Sequence, residues 1–198
     1  MNVGGGARRV KRTARVAQVA LIINVCPQEG TTVAGVNVTH LGHVEALLSD
    51  AAAKHATLIS QVPPALQASL PVDGQGVTEA IDYLAVVAGL SDSERRALIR
   101  PHAINPAVLH ARVFGRAPLA PETVIASFVE GARVRADALA ALADTVGGEP
   151  LGLQVRSLLV AHPPPVGGSG PDVVEALRET YASQERAALM IASRLDTA

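Results

Sequence analysis

Five bases stand within the first fifteen residues, Arg8, Arg9, Lys11, Arg12 and Arg15, with no acid among them and with Gly4-Gly5-Gly6 just ahead. Closely spaced guanidinium and ammonium groups on a glycine-led segment bind polyanions by releasing counterions. They read phosphates by charge, with an affinity that falls as salt rises and little preference for sequence. A tail that aids solubility or engages the acidic surface of a neighbouring copy has the same composition. Five charges are few for a nucleic-acid partner, and Arg95, Arg96, Arg100, Arg112 and Arg116 are the other bases that would have to share a face with the arm. The aromatic residues are Phe114, Phe128, Tyr83 and Tyr181, with no Trp, so stacking on exposed bases is nearly ruled out.

The other candidate chemistry is weaker. His40, His43 and Glu45 lie close together, and His55 follows on the same expected helix. His40 and His43 can share a helical face, but Glu45 points elsewhere and His55 falls in an apolar stripe, where a hydrogen-bonded core histidine is the better account. His102, His110 and His162 are scattered. Cys26 upstream of His40 and His43 could form a thiol and imidazole pair, with Asp50 a further member of such a dispersed enzyme site; a lone buried thiol is the better account of the residue. Ser169 sits where a nucleophile elbow would need a glycine two residues on, and Pro171 stands there instead. Gly74-Gln75-Gly76 lacks the third glycine of a dinucleotide fingerprint, and neither Lys11 nor Lys54 follows a phosphate-loop glycine pattern. No cofactor or metal is implied.

The elements that must position these residues are helical. The chain has 198 residues, 48% of them hydrophobic and 2% aromatic, so its core is built from Ala, Val, Leu and Ile. Beyond residue 15, twelve bases face eighteen acids, a balance near −6 against +5 in the arm. One cysteine excludes an intramolecular disulfide and points to a reducing compartment. Val16 to Val25 is apolar after a basic stretch, as in a signal peptide, but Cys-Pro-Gln-Glu-Gly follows in place of a small-residue cleavage site. No apolar run approaches the roughly 20 residues that span a bilayer. A soluble protein, intracellular or carried in a virion, is expected.

The expected fold is mainly α with a small N-terminal β-hairpin, an α+β arrangement with about five or six helices. Residues 1–15 form a flexible basic arm. Residues 16–161 form the main domain, with the hairpin at 16–38 turning through Pro27 to Gly30. Thr39 caps a helix with the stripe Leu41, Val44, Leu48, His55, Ile59 and Val62, stopped by Pro63-Pro64. Val77, Ile81, Leu84 and Ala88 mark a second helix ended by Gly89. Ser91 and Glu94 form a capping box for a third. Asn105-Pro106 opens a short piece closed by Gly115. Pro121 starts the longest pattern, through Ile125, Phe128, Ala132, Leu139 and Ala143 to Gly147-Gly148. Leu151 to Ala161 suits a strand or a short helix. Residues 162–170 are a Pro/Gly linker, and 171–198 a C-terminal helix with the stripe Val174, Leu177, Tyr181, Ala188, Ile191 and Leu195. Its spacing would fit docking on its own domain or on a second copy.

Three function classes follow. The sequence favours a non-catalytic structural or assembly subunit of the virion or nucleoprotein-shell type, a likeness of architecture, with Arg8, Arg9, Lys11, Arg12 and Arg15 contacting nucleic acid or a neighbouring subunit. A small regulatory nucleic-acid-binding or adaptor protein is the second; Val77 to Arg100, two helices broken at Gly89-Leu90, is its nearest approach to a helix-turn-helix. An enzyme with a site around Cys26, His40 and His43 is the third. A homo-oligomer is expected, with an edge strand pairing between copies, and no membrane partner.

Overall fold

The helix ends form where side chains supply what a helix terminus lacks. In the computed structural model, which describes residues 39–62, 64–67, 74–99, 121–168 and 170–198, Thr39 has extended backbone and its hydroxyl accepts from the Gly42 N–H at 3.0 Å. Helix α1, His40–Ser60, begins there. A single turn, α2, occupies Pro64–Gln67. Helix α3, Gln75–Val87, ends in a Schellman arrangement: Gly89 takes φ +78°, its N–H donates to the Val86 carbonyl, and the Leu90 N–H reaches back to Ala85 at 3.0 Å. The positive φ is what calls for glycine there. Ser91 and Glu94 complete the capping box of α4, Asp92–Leu98, and the Ser91 hydroxyl and N–H hold the Glu94 carboxyl below its ordinary pKa.

Helix α5 runs Pro121–Ala161 and is interrupted at Gly148, where φ is +63°. Pro150 lies just beyond the break, at the start of a second limb where a missing N–H matters least. Asp144 and Arg156 pair across the break over Gly152, and that hydrogen bond lowers the Asp144 pKa and raises that of Arg156. The ambiguous stretch from Leu151 is therefore helix. Leu151, Val155 and Leu159 are buried at helical spacing, whereas Leu153, which a strand would place beside Leu151, is 58% exposed. Helix α6, Pro171–Asp196, completes the fold, with Pro171 at its first position.

These elements belong to one compact unit, Val38–Ala198. Its most extensive interface joins α5 to α6; α6 also packs on α1 and α3, and α4 on α5 and α3. One apolar cluster unites Val44, Val77, Ile81, Leu84, Leu139, Leu142, Val155, Ala188 and Ile191. A second joins Val124, Ile125, Phe128, Val129 and Ala132 to Leu177 and Tyr181. Small residues let the helices approach: a Cβ on Gly76 would lie 2.8 Å from that of Ala51, so α3 crosses α1 in close contact. Gly74-Gln75-Gly76 thus serves packing.

The protein is mostly helical, and among the described residues no strand occurs. The expected hairpin at 16–38 and the piece from Asn105 to Gly115 lie outside the described residues. No helix of the described residues is long and apolar enough to cross a membrane.

Candidate interaction surface

Arg8, Arg9, Lys11, Arg12, Arg15 and Cys26 lie outside the described residues, as do Arg100, His102, His110, Arg112 and Arg116. The remaining candidates can be placed. His40 and His43 converge on Tyr83 of α3: His40 Nδ1 is hydrogen-bonded to the Tyr83 hydroxyl at 2.7 Å, and the His43 ring lies 4.2 Å from the phenol centroid, tilted by 41°. The Asp196 carboxylate, at the end of α6, accepts from the backbone N–H of His40 at 2.7 Å and of Leu41 at 2.9 Å. Two donors left over at the start of α1 are thereby satisfied by another helix. The Leu41 and His40 N–H groups hold the Asp196 carboxyl below its ordinary pKa, and burial pushes that of the Tyr83 phenol up. The pair thus forms a joint between α1, α3 and α6.

Asp50 is ion-paired with Lys54 on the exposed side of α1, and Glu45 is exposed. Among the described residues no three His, Cys, Asp or Glu side chains come together to hold a metal ion. His55 differs from the core histidine expected: its Nδ1 is buried without a hydrogen-bond partner among the described residues. Burial, with Arg178 contributing, lowers its pKa, so the ring stays neutral where a solvated imidazole would charge.

In α4 the Arg95 guanidinium grips both oxygens of Asp82 and also bonds Asp92, while Arg96 Nε donates to its own helix at the Asp92 carbonyl. A recognition helix needs such groups turned to phosphate or base edges. These are turned to the protein's own acids and backbone.

Sequence reasoning missed a buried polar network at the centre of the fold. Arg135 of α5 is only 2% exposed, and among the described residues it has no ion pair. Its Nε donates to Gln184 Oε1 at 3.3 Å, its Nη1 lies 3.5 Å from the Thr78 hydroxyl, and its guanidinium sits 4.9 Å from the centroid of Tyr181. Gln184 Nε2 donates in turn to the Ala132 carbonyl at 2.6 Å. A Cβ at Gly74 would overlap the guanidinium, so this glycine makes room for it. Gln184 lies three residues after Tyr181 and four before Ala188, inside the apolar stripe; that placement was the available signal.

The outer face of α6 is organised differently. Asp172, Glu175 and Glu179 lie along its first half, Ala182 near the middle, and Arg186 and Arg194 along its second half, all exposed. Glu175 pairs with Arg178 of its own helix, and Glu179 lies 3.6 Å from His162. Arg186 Nε donates to its own helix at the Ala182 carbonyl, and among the described residues neither Arg186 nor Arg194 has an acidic partner. Beside these two arginines an apolar groove of about 630 Å³ opens between α6 and the second limb of α5, with Leu151, Leu158, Leu189 and Met190 within it. No protein-family model, curated protein or solved structure matches the chain.

Proposed function

We propose that the chain is a non-catalytic structural or assembly subunit of the virion or nucleoprotein-shell kind. Its basic N-terminal segment contacts nucleic acid or a neighbouring subunit, and it acts as a homo-oligomer inside the cell or in a virion. The observation that carries this reading is the division of charge: five bases and no acid in residues 1–15, against twelve bases and eighteen acids in the rest. A segment that cationic gains little from its own apolar contacts and finds its complement in a polyanion or in the acidic surface of another copy. The described body supports the same reading. His40 bonded to Tyr83, Arg135 bonded to Gln184 and Arg95 paired with Asp82 each hold one helix to another, and the outer groove offers apolar surface to a partner.

The test compares the full-length chain with one lacking residues 1–15, by light scattering after size exclusion with absorbance at 260 and 280 nm, at low and high salt. With no Trp and two Tyr the protein absorbs weakly, so bound nucleic acid is easily seen. A large particle, or a salt-sensitive 260 nm excess that disappears with the arm, supports the reading. A salt-indifferent monomer from both chains overturns it. A compact complex with one defined nucleic-acid site, formed by a monomer or dimer, would favour a small regulatory binder instead.

A further inference from the structure

We propose that the outer face of α6 is a self-complementary contact, on which a second copy of the chain docks its own α6 in antiparallel orientation about a two-fold axis near Ala182. The inference rests on the assembly reading and specifies the surface that serves it.

The argument begins with the order of residues along one helix face. At 100° per residue, Asp172, Glu175, Glu179, Ala182 and Arg186 point the same way, opposite the buried side formed by Leu177, Tyr181, Gln184, Ala188 and Ile191. The stripe carries three acids in its first half and Arg186 in its second, with Arg194 at one edge and Arg178, already paired with Glu175, at the other. A parallel copy would set like charges against like. An antiparallel copy centred between residues 182 and 183 sets Glu179 against the partner's Arg186, and Arg186 against the partner's Glu179. A two-fold axis makes each such pair occur twice, so a modest attraction is doubled without any further match in sequence. Asp172 then comes beside the partner's Arg194 at both ends.

Three further observations fit this occupant. Ala182, at the crossing, is exposed and small, so two helix backbones can approach closely there. Arg186 makes its hydrogen bond to its own Ala182 carbonyl, and no acid among the described residues neutralises its charge. The groove beside Arg186 places Leu158, Leu189 and Met190 next to the charged pairs, which supplies apolar surface beside the ion pairs. Ion pairs across an exposed face are individually weak and screened by salt; the contact should therefore weaken as ionic strength rises.

Charge exchange on the full-length chain tests the proposal, with association followed by light scattering across a concentration series. Arg186→Glu sets acid against acid twice, and Glu179→Arg sets base against base twice. Each should weaken association about tenfold or more, while the double variant carrying both changes should recover it. Both sites are exposed, so a circular dichroism spectrum and melting temperature close to the parent's accompany a valid comparison. Lys54→Glu, an equal charge change on α1, should leave association unaltered. Oligomers indifferent to the single exchanges, or a double variant no better than either single one, would overturn the α6 contact while leaving the assembly reading standing. A chain that stays monomeric at every concentration and salt would overturn both.

Discussion

Helices α1 and α6 carry similar apolar stripes in sequence and have different fates in the fold. Over 21 residues α1 buries only Val44, whereas α6 buries ten of its 26, among them Thr180, Ser183 and Gln184. The stripe of α1 lies against α3 and α6 along one side, so Leu41, Leu48 and Ile59 remain half-buried. That of α6 is enclosed by α1, α3 and α5. Periodicity fixes which side of a helix turns inward; how many neighbours close over that side fixes the depth. Depth decides what polar residues do. On α6 an inward hydroxyl or amide must find a fixed partner, and each does: Thr180 bonds the Pro163 and Ala176 carbonyls, Ser183 bonds Leu158, and Gln184 bonds Ala132.

The difference is broken most directly by truncating one leucine on each helix. Leu177 of α6 is fully buried between Tyr181 and the first limb of α5, and Leu177→Ala should destabilise the protein by about 3 kcal/mol through lost transfer energy and the cavity left behind. Leu48→Ala on α1 should cost about 1 kcal/mol, because that side chain is only partly buried at the edge of the core. Denaturant midpoints of the two variants against the parent measure the ratio. Equal losses would mean that α1 is as deeply enclosed as α6.

A sharper version addresses the buried polar network. Gln184→Ala leaves Arg135 Nε without the acceptor it has now and removes the second donor to the Ala132 carbonyl, and should destabilise by about 2 kcal/mol. If that loss comes from unpaired polar groups and not from lost volume, the double variant Gln184→Leu with Arg135→Met should cost less than the two single changes added together, since it removes both ends of the Arg135–Gln184 bond. Additive losses in urea unfolding would show that the two side chains act independently.

Much of this architecture was legible in the residues, for local reasons. Thr39, Gly89, the Ser91 and Glu94 box and Pro171 each act within one turn of their own position, and they set the starts of α1, α4 and α6 and the end of α3. The helix from Leu151 was ambiguous because 151, 153 and 155 alternate in hydropathy as a strand would. Gly148 and Pro150 held the answer, by breaking one helix and starting the next. The roles of His40 and His43 were not legible, since Tyr83, which both meet, and Asp196, which accepts from the His40 N–H, stand 43 and 156 residues from His40. Arg135 was hidden for the same reason: a buried cation is revealed only by Thr78, Tyr181 and Gln184 arriving from two other helices. The outer face of α6 stood in the sequence, but the inward stripe had to be fixed before the opposite face could be identified.

The smallest expected effect lies where the two helices meet. Asp196 closes the last turn of α6 by accepting two N–H groups from the first turn of α1, so Asp196→Asn should loosen α1 at its start and leave the α5 and α6 interface intact. An asparagine retains one oxygen and loses the charge that the helix N-terminus favours. Amide exchange should therefore speed up at His40 and Leu41, with little change at Leu177 or Ile191. The pH dependence provides the check on cause. The folded-state pKa of Asp196 lies below its ordinary value, so its contribution is complete above the unfolded value of about 3.9 and is lost as the pH falls through the depressed folded one. Parent and variant should then differ near neutral pH and converge in acid. A difference that persists once the carboxyl is protonated would assign the effect to the shape of the side chain and not to its charge. Protection lost evenly across both helices would mean that α1 and α6 open together, and the contrast between a peripheral and an enclosed helix would fail.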